Sequence, residues 1–217
     1  FKNLGLAVGD IIDVEYVNDV MPYVTKPDNE HNRNNPNPPV PFAHICPSCG
    51  SVLVMSQSGK SVVCPNGACG SRNLMRMVNM LHKLGVKDFS EESLKKINKF
   101  SLYDLFRLKI EDLESLGDAN SVKFIEQMNV LKTQPIADYK IVGALGFTNI
   151  ALDTWKLILN NIPLEHIISW ADDSLYQVLV QIKGIGPTTA ITVTKEREWF
   201  MPDLMTISAM QNVSRTF

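Results

Sequence analysis

The stretch CPSCGSVLVMSQSGKSVVCPNGACG, residues 46–70, holds all four cysteines of a 217-residue chain. They stand as Cys46-x2-Cys49-x14-Cys64-x4-Cys69, two close pairs joined by a loop long enough for a short hairpin. Pro47 and Gly50 mark a tight turn at the first pair and Pro65-Asn66-Gly67 another at the second, while VLVMSQSGKSVV reads as two strands around Ser58-Gly59. Such turns let four thiolates converge on one ion, and Zn²⁺ accepts four sulfurs tetrahedrally at about 2.3 Å. With sulfur in every position no place is left for water or substrate, so the predicted metal is structural. The rival readings are two disulfides, which an intracellular chain disfavours, and four free thiols, which this spacing disfavours. His44 lies outside the paired geometry and reads as a solvated residue. A segment too short to bury a core is thus held by an ion, whereas the rest of the chain has apolar residues enough to fold without one.

Working outward, residues 8–25, VGDIIDVEYVNDVMPYVT, alternate apolar and polar at Ile12, Val14 and Tyr16, break at Asn18-Asp19 and resume at Val20, the pattern of a β-hairpin. Two strands do not stand alone, so they read as the closing strands of a sheet whose other strands lie before Phe1 or in another chain. Asn- and Pro-rich residues 27–41 read as a linker. From Leu74 the period becomes helical, with segments near 74–84, 90–99, 101–108, 110–115, 119–132, 136–144, 152–160, 163–170, 174–182 and 187–200. Ser101 with Asp104 predicts a capping box, Pro163 a first helical position, and Asp173 or Ser174 a cap. Leu-Gly or Ile-Gly turns recur at Gly85, Gly117, Gly146 and Gly186, the pattern of a degenerate repeat of paired helices. Residues 211–217 read as a tail.

The net charge of −2 hides a segregation of sign. Residues 60–109 carry ten Lys and Arg, Arg72 and Arg76 among them, against four acids, and residues 110–180 carry four bases against ten acids. A charge patch acts within about 8 Å at physiological salt, so the basic segment can face phosphates while the chain stays near neutral; the bland alternative is that Lys95, Lys96 and Lys99 solvate a helix. No run of eighteen apolar residues spans a bilayer and no signal peptide opens the chain, which predicts an intracellular, reducing, cytoplasmic setting without a membrane partner.

The sharpest short motif is KGIGPTTA, residues 183–190. Gly184 and Gly186 permit positive φ or close backbone approach, Pro187 suits a first helical turn, and Ala190 lets the new helix pack tightly. The N–H groups of such a turn, with Ile185 at its centre, point at one anion, which is how a helix-hairpin-helix unit holds a DNA phosphate without reading a base. Thr188 and Thr189 add hydroxyls and Lys183 adds charge.

Taken in order, these stretches resemble the C-terminal half of the bacterial-type NAD-dependent DNA ligases. VGDIIDVEYVNDVMPYV, with Asp19-Val20-Met21-Pro22, resembles the end of that family's OB-fold; CPSCGSVLV and VVCPNGAC resemble its four-cysteine zinc finger; FSLYDLFRLKIEDLESLG and IKGIGPTTA resemble its second and fourth helix-hairpin-helix units. The resemblance implies a mainly α fold with a small β part: OB-fold strands over 1–26, a linker over 27–41, a four-cysteine zinc finger over 42–73 and a helix-hairpin-helix domain over 74–210. It implies Cys46, Cys49, Cys64 and Cys69 as ligands of a structural Zn²⁺. It also implies nicked duplex DNA as partner, in repair and replication, with Lys183, Gly184, Ile185, Gly186, Thr188, Thr189, Gly117, Gly146, Arg72 and Arg76 as candidate DNA contacts. Departures are visible: the first repeat, VKDFSEESL, lacks paired glycines, Ser115 stands at the second repeat's earlier glycine and Ala151 at the third's later one.

No Lys-x-Asp-Gly motif occurs, so the lysine that carries AMP is expected on another domain or subunit, and NAD and Mg²⁺ would act only there. The chain opens at Phe1 without a methionine, so it is expected to be a piece or subunit of a divergent ligase, possibly viral or phage, and not to join DNA alone. The alternatives are a non-catalytic nucleic-acid adaptor, or a structural subunit whose acidic segment meets protein.

Overall fold

A computed structural model describes residues 5–17, 21–40, 43–56, 59, 61–87 and 89–216. The chain divides into two compact units, one reaching Pro65 and the other spanning Asn66 onward, so that the boundary falls between the third and fourth cysteines.

In the first unit, β1 (Ile12–Val17) pairs antiparallel with β2 (Met21–Pro27), Val14 opposite Val24 and Tyr16 opposite Pro22. The predicted hairpin is present, although the turn at Asn18-Asp19 and Val20 of the Asp19-Val20-Met21-Pro22 match lie outside the described residues. Val14 and Tyr16, on one face of this ribbon, are 47% and 70% exposed, which is why two strands alone form no core. Within the stretch read as a linker, residues 27–40 are fastened back onto the segment that precedes β1. Asp28 caps a single helical turn, α1 (Asn29–Asn32). Asn32 then exchanges two hydrogen bonds with the backbone of Ile11, accepting from its N–H at 2.7 Å and donating to its carbonyl at 2.8 Å. Asn37 donates to Val8 O at 2.7 Å, and Val40 N–H donates to Leu6 O at 2.8 Å. Asparagine side chains reproduce a strand ladder here, which a composition-based reading of Asn and Pro as linker overlooks. Further along, β3 (Val54–Met55) pairs with β4 (Val62–Val63), the expected short hairpin; Ser58 at its tip lies outside the described residues.

The second unit is helical and encloses a single apolar cluster running from Leu74 to Val213. Its elements are α2 (Gly70–Lys83), α3 (Glu91–Ile97), α4 (Leu102–Leu105), a 3-10 segment (Ile110–Leu116), α5 (Asp118–Thr133), β5 (Ile136–Ala137), α6 (Asp138–Ala144), α7 (Leu152–Leu159), α8 (Leu164–Ser169), α9 (Asp172–Gln181), α10 (Pro187–Glu196), a second 3-10 turn (Arg197–Phe200), α11 (Met201–Ala209) and β6 (Val213–Ser214). Trp155 at its centre is fully buried and meets Phe147 edge-on at 4.8 Å, and Phe89 stacks on Phe124 at 4.0 Å.

Paired helices recur, but in a different register from the one the glycines indicate. The second helix of each pair starts at Ser90, Gly117, Ala151 and Gly186, each preceded by an apolar residue turned inward: Phe89, Leu116, Ile150 and Ile185. Gly85 and Gly146, at φ +82° and +87°, instead follow the ends of α2 and α6. A lone Leu-Gly in sequence signals either end of a helix, and only the backbone tells them apart.

Capping is confirmed at Ser101, whose hydroxyl accepts from Asp104 N–H at 3.1 Å, while Pro163 and Ala171 stand just before α8 and α9 and Asp172 and Asp173 fill the first turn of α9. Residues 211–216, read as a tail, are hydrogen-bonded to the helical unit. β6 pairs in parallel with β5, Asn212 donates to Leu131 O at 3.0 Å, and the buried carboxylate of Asp138 accepts from Thr216 N–H at 3.0 Å. Phe217 lies outside the described residues.

Asp203 supplies a long-range cap. Its carboxylate accepts from the backbone N–H of Leu102 at 2.6 Å, and burial pushes its pKa up to about 6. Because the folded state holds that proton more tightly than the unfolded chain, the group's contribution to stability is complete below about pH 3.8 and is lost as pH rises through about 6. Unfolding titrations are expected to show the parent losing about 1 kcal/mol relative to Asp203→Asn between pH 5 and 7. Parallel pH profiles for the two proteins would contradict that assignment.

Candidate metal centre and nucleic-acid interface

The four cysteine sulfurs all lie within 4.8 Å of one another, Cys49 Sγ 3.5 Å from Cys64 Sγ. Around a tetrahedral ion at about 2.3 Å the sulfurs stand about 3.8 Å apart, so the four positions suit one closed all-sulfur site. The chain geometry explains the convergence. Gly50, at φ +72°, lets its N–H return to Cys46 O at 2.9 Å, closing the first knuckle, while Cys46 N–H donates to Ser51 O at 2.8 Å. In the second, Cys69 N–H donates to Asn66 O at 3.2 Å and Cys69 stands at the N-terminal end of α2, where the helix dipole favours a thiolate. Cys46 and Cys69 are 7% and 1% exposed. The Ser51 hydroxyl, 3.3 Å from Cys49 Sγ, is the first cause holding that thiol below its ordinary range, a direction that favours the thiolate a metal ion needs. These residues fit a structural metal ion. His44, as expected, is exposed and outside the cluster.

The fourth pair, α9 and α10, presents its turn to solvent. Ile182 O accepts from Ile185 N–H at 2.9 Å, Ile185 is buried, and Gly184 takes φ +100°. Gly186 has an ordinary φ of −87°, and a Cβ placed there meets nothing within 4 Å. Of the two expected uses of these glycines, a positive φ is found at Gly184, while Gly186 has an ordinary φ and an open front that leaves room for close approach. Lys183 and Thr188 are exposed, Thr189 is half-buried, and Ala190 is sealed in the core.

A difference among the four second helices is invisible in the glycines. α3 opens with Glu91 and Glu92, α5 with Asp118 and α7 with Asp153, whereas α10 has no acid in its first turn. Since the N-terminus of a helix attracts anions and a carboxylate there repels them, α10 is the start best suited to phosphate.

The remaining candidates stand in other surroundings. Gly117, at φ +79°, opens α5 in unfilled space beside Asp118. The turn after Gly146 is fastened inward: Glu196 accepts from Thr148 N–H at 2.8 Å and from its hydroxyl at 2.6 Å. Arg72 and Arg76 lie over the Trp199 ring at 4.8 and 5.2 Å; Arg72 comes within 3.9 Å of Glu196, and burial lowers the pKa of Arg76 to about 10, with the Arg72 charge adding to it. Both arginines thus pack α2 against the 3-10 turn that follows α10. Lys95, Lys96 and Lys99 are exposed, with Lys95 paired to Glu91 at 2.6 Å. No described helix is long and apolar enough to cross a membrane.

No family model matches the chain. Curated relatives do. It is 26% identical over 203 residues to a DNA ligase of Sorangium cellulosum (strain So ce56), covering 89% of this chain and 28% of that protein. A DNA ligase of Persephonella marina is 27% identical over 80% of this chain and 25% of its own length, and one of Aquifex aeolicus is 26% identical over 87% and 26%. The chain resembles part of a DNA ligase. These matches support the sequence reading of a divergent C-terminal part, and the chain spans little more than a quarter of the length of those relatives.

Proposed function

We propose that the chain is the DNA-gripping C-terminal part or subunit of a cytoplasmic NAD-dependent DNA ligase, with Zn²⁺ in its four-cysteine centre. The observation that carries this reading is the open, acid-free start of α10 behind Lys183-Gly184-Ile185-Gly186, in a chain whose relatives are DNA ligases. On this reading the boundaries are OB-fold strands over 1–26, an Asn- and Pro-rich linker over 27–41, the zinc module over 42–73, the helix-hairpin-helix domain over 74–210 and a short C-terminal segment over 211–217.

The chain's own part in the work is to hold nicked duplex by its backbone. Gly186 leaves room for a phosphate to reach the N–H groups of Thr188 and Thr189, the Thr188 hydroxyl and Lys183 ammonium add contacts, and Ile185 anchors the turn in the core. Gly117 opens a weaker second site beside Asp118. An adenylylating domain elsewhere, carrying the lysine and using NAD and Mg²⁺, supplies the chemistry: lysine adenylylation, AMP transfer to the 5′ phosphate, and sealing by the 3′ hydroxyl. Contacts of this kind give little sequence preference and strong salt dependence.

Gly186→Val tests the hairpin. Valine tolerates φ −87° and a Cβ there meets no neighbour, so the fold should be kept while the approach of phosphate is blocked. Affinity for duplex DNA is expected to fall about tenfold, the effect of losing one or two charge-assisted hydrogen bonds. Unchanged affinity with an unchanged melting curve would refute the hairpin's role.

A further inference from the structure

We propose that Trp199 carries the state of the four-cysteine centre to the third helix pair, so that metal occupancy sets the order of the turn after Gly146. The inference rests on the metal reading of the cysteines and not on DNA binding.

The route is a series of direct contacts within the helical unit. Gly67 lies in the loop that delivers Cys69, and a Cβ there would fall 2.3 Å from Cε2 and 2.4 Å from Nε1 of Trp199, so the loop backbone rests directly on the indole. The same ring receives the guanidinium groups of Arg72 at 4.8 Å and Arg76 at 5.2 Å. Arg72 approaches Glu196 to 3.9 Å, and Glu196 holds the third turn through Thr148 N–H and hydroxyl. Arg76 lies over Phe200 at 4.7 Å, and Phe200 packs on Phe147 of that turn at 4.4 Å. Two parallel paths thus run from one ring to one turn. The bistable element is the Asn66–Cys69 loop: it is too short to bury a core, so its order depends on the ion its cysteine binds. Gly67 is required because any side chain displaces the indole, and Trp199, being 39% exposed, has room to swing outward.

Residue-resolved hydrogen exchange of the zinc-loaded chain reads this directly. Chelation is expected to speed exchange of the Thr148 amide at least about tenfold, the loss of one hydrogen bond to a charged acceptor. Gly67→Ala is expected to do the same with zinc still bound, as metal analysis of the same sample would record. Thr148 protection that is unchanged in both cases overturns the coupling. Faster exchange on chelation with no change in zinc-loaded Gly67→Ala overturns the route through Trp199.

Discussion

Cys69→Ser is expected to abolish tight metal binding, lowering the zinc content from about one ion per chain to none after dialysis at pH 7. The module has nothing to replace the ion. Val54, Met55 and Val63 are 45%, 49% and 41% exposed, so its two short strands bury no core, and structural zinc in comparable small modules contributes on the order of 10 kcal/mol. Amide protection at Cys46, Gly50, Leu53 and Cys69 should therefore disappear while helix content largely remains, because the cluster from Leu74 to Val213 is apolar in its own right. Native mass spectrometry and hydrogen exchange on the same sample check both halves. A variant that keeps a full complement of zinc, or a parent that never binds any, would sink the assignment of the four cysteines.

Trp155→Ala is the second large effect, and it falls on the helical unit. Trp155 is 0% exposed, packs edge-on to Phe147, and is among the largest fully buried side chains. Truncation leaves a cavity in a core where Ile158 and Leu159 are also fully buried, so the loss should be about 3–5 kcal/mol, a large share of the roughly 5–15 kcal/mol that holds an ordinary domain folded. Trp155→Phe should cost far less, since the indole Nε1 is buried without a hydrogen-bond partner among the described residues and phenylalanine removes that unpaired donor. Urea titrations of the three proteins separate these cases. Equal losses in the two variants would show that the donor is paired after all.

What sequence conveys here depends on the range of the interaction. The cysteine spacing specifies its own geometry because four ligands to one ion admit few arrangements, and the sulfurs do converge. The helices are legible from period and punctuation, and Ser101 from a cap three residues long. Three features are not. Residues 27–40 are fastened by Asn32 and Asn37 reaching Ile11 and Val8, and no local pattern encodes a partner some twenty or more residues away. The segment 211–216 gains its order from β5 and Asp138, equally remote in the chain. Arg72 and Arg76 stand out in the sequence by charge alone, and only the fold shows that both lie over the Trp199 ring and that Arg72 approaches Glu196. Within the candidate interface, the turn at Gly184-Ile185-Gly186 is readable as a motif, but what sets it apart from the other pairs in the fold is the absence of an acid from α10's first turn.

The most direct test of the DNA-gripping role is an equilibrium titration of a labelled nicked duplex with the zinc-loaded chain across a series of salt concentrations. The account predicts binding at about 50 mM salt that weakens by at least about tenfold by about 200 mM, with the logarithm of affinity falling linearly against that of salt and little change on altering sequence. No binding at low salt, or binding indifferent to salt as at an interface with another protein, would contradict it.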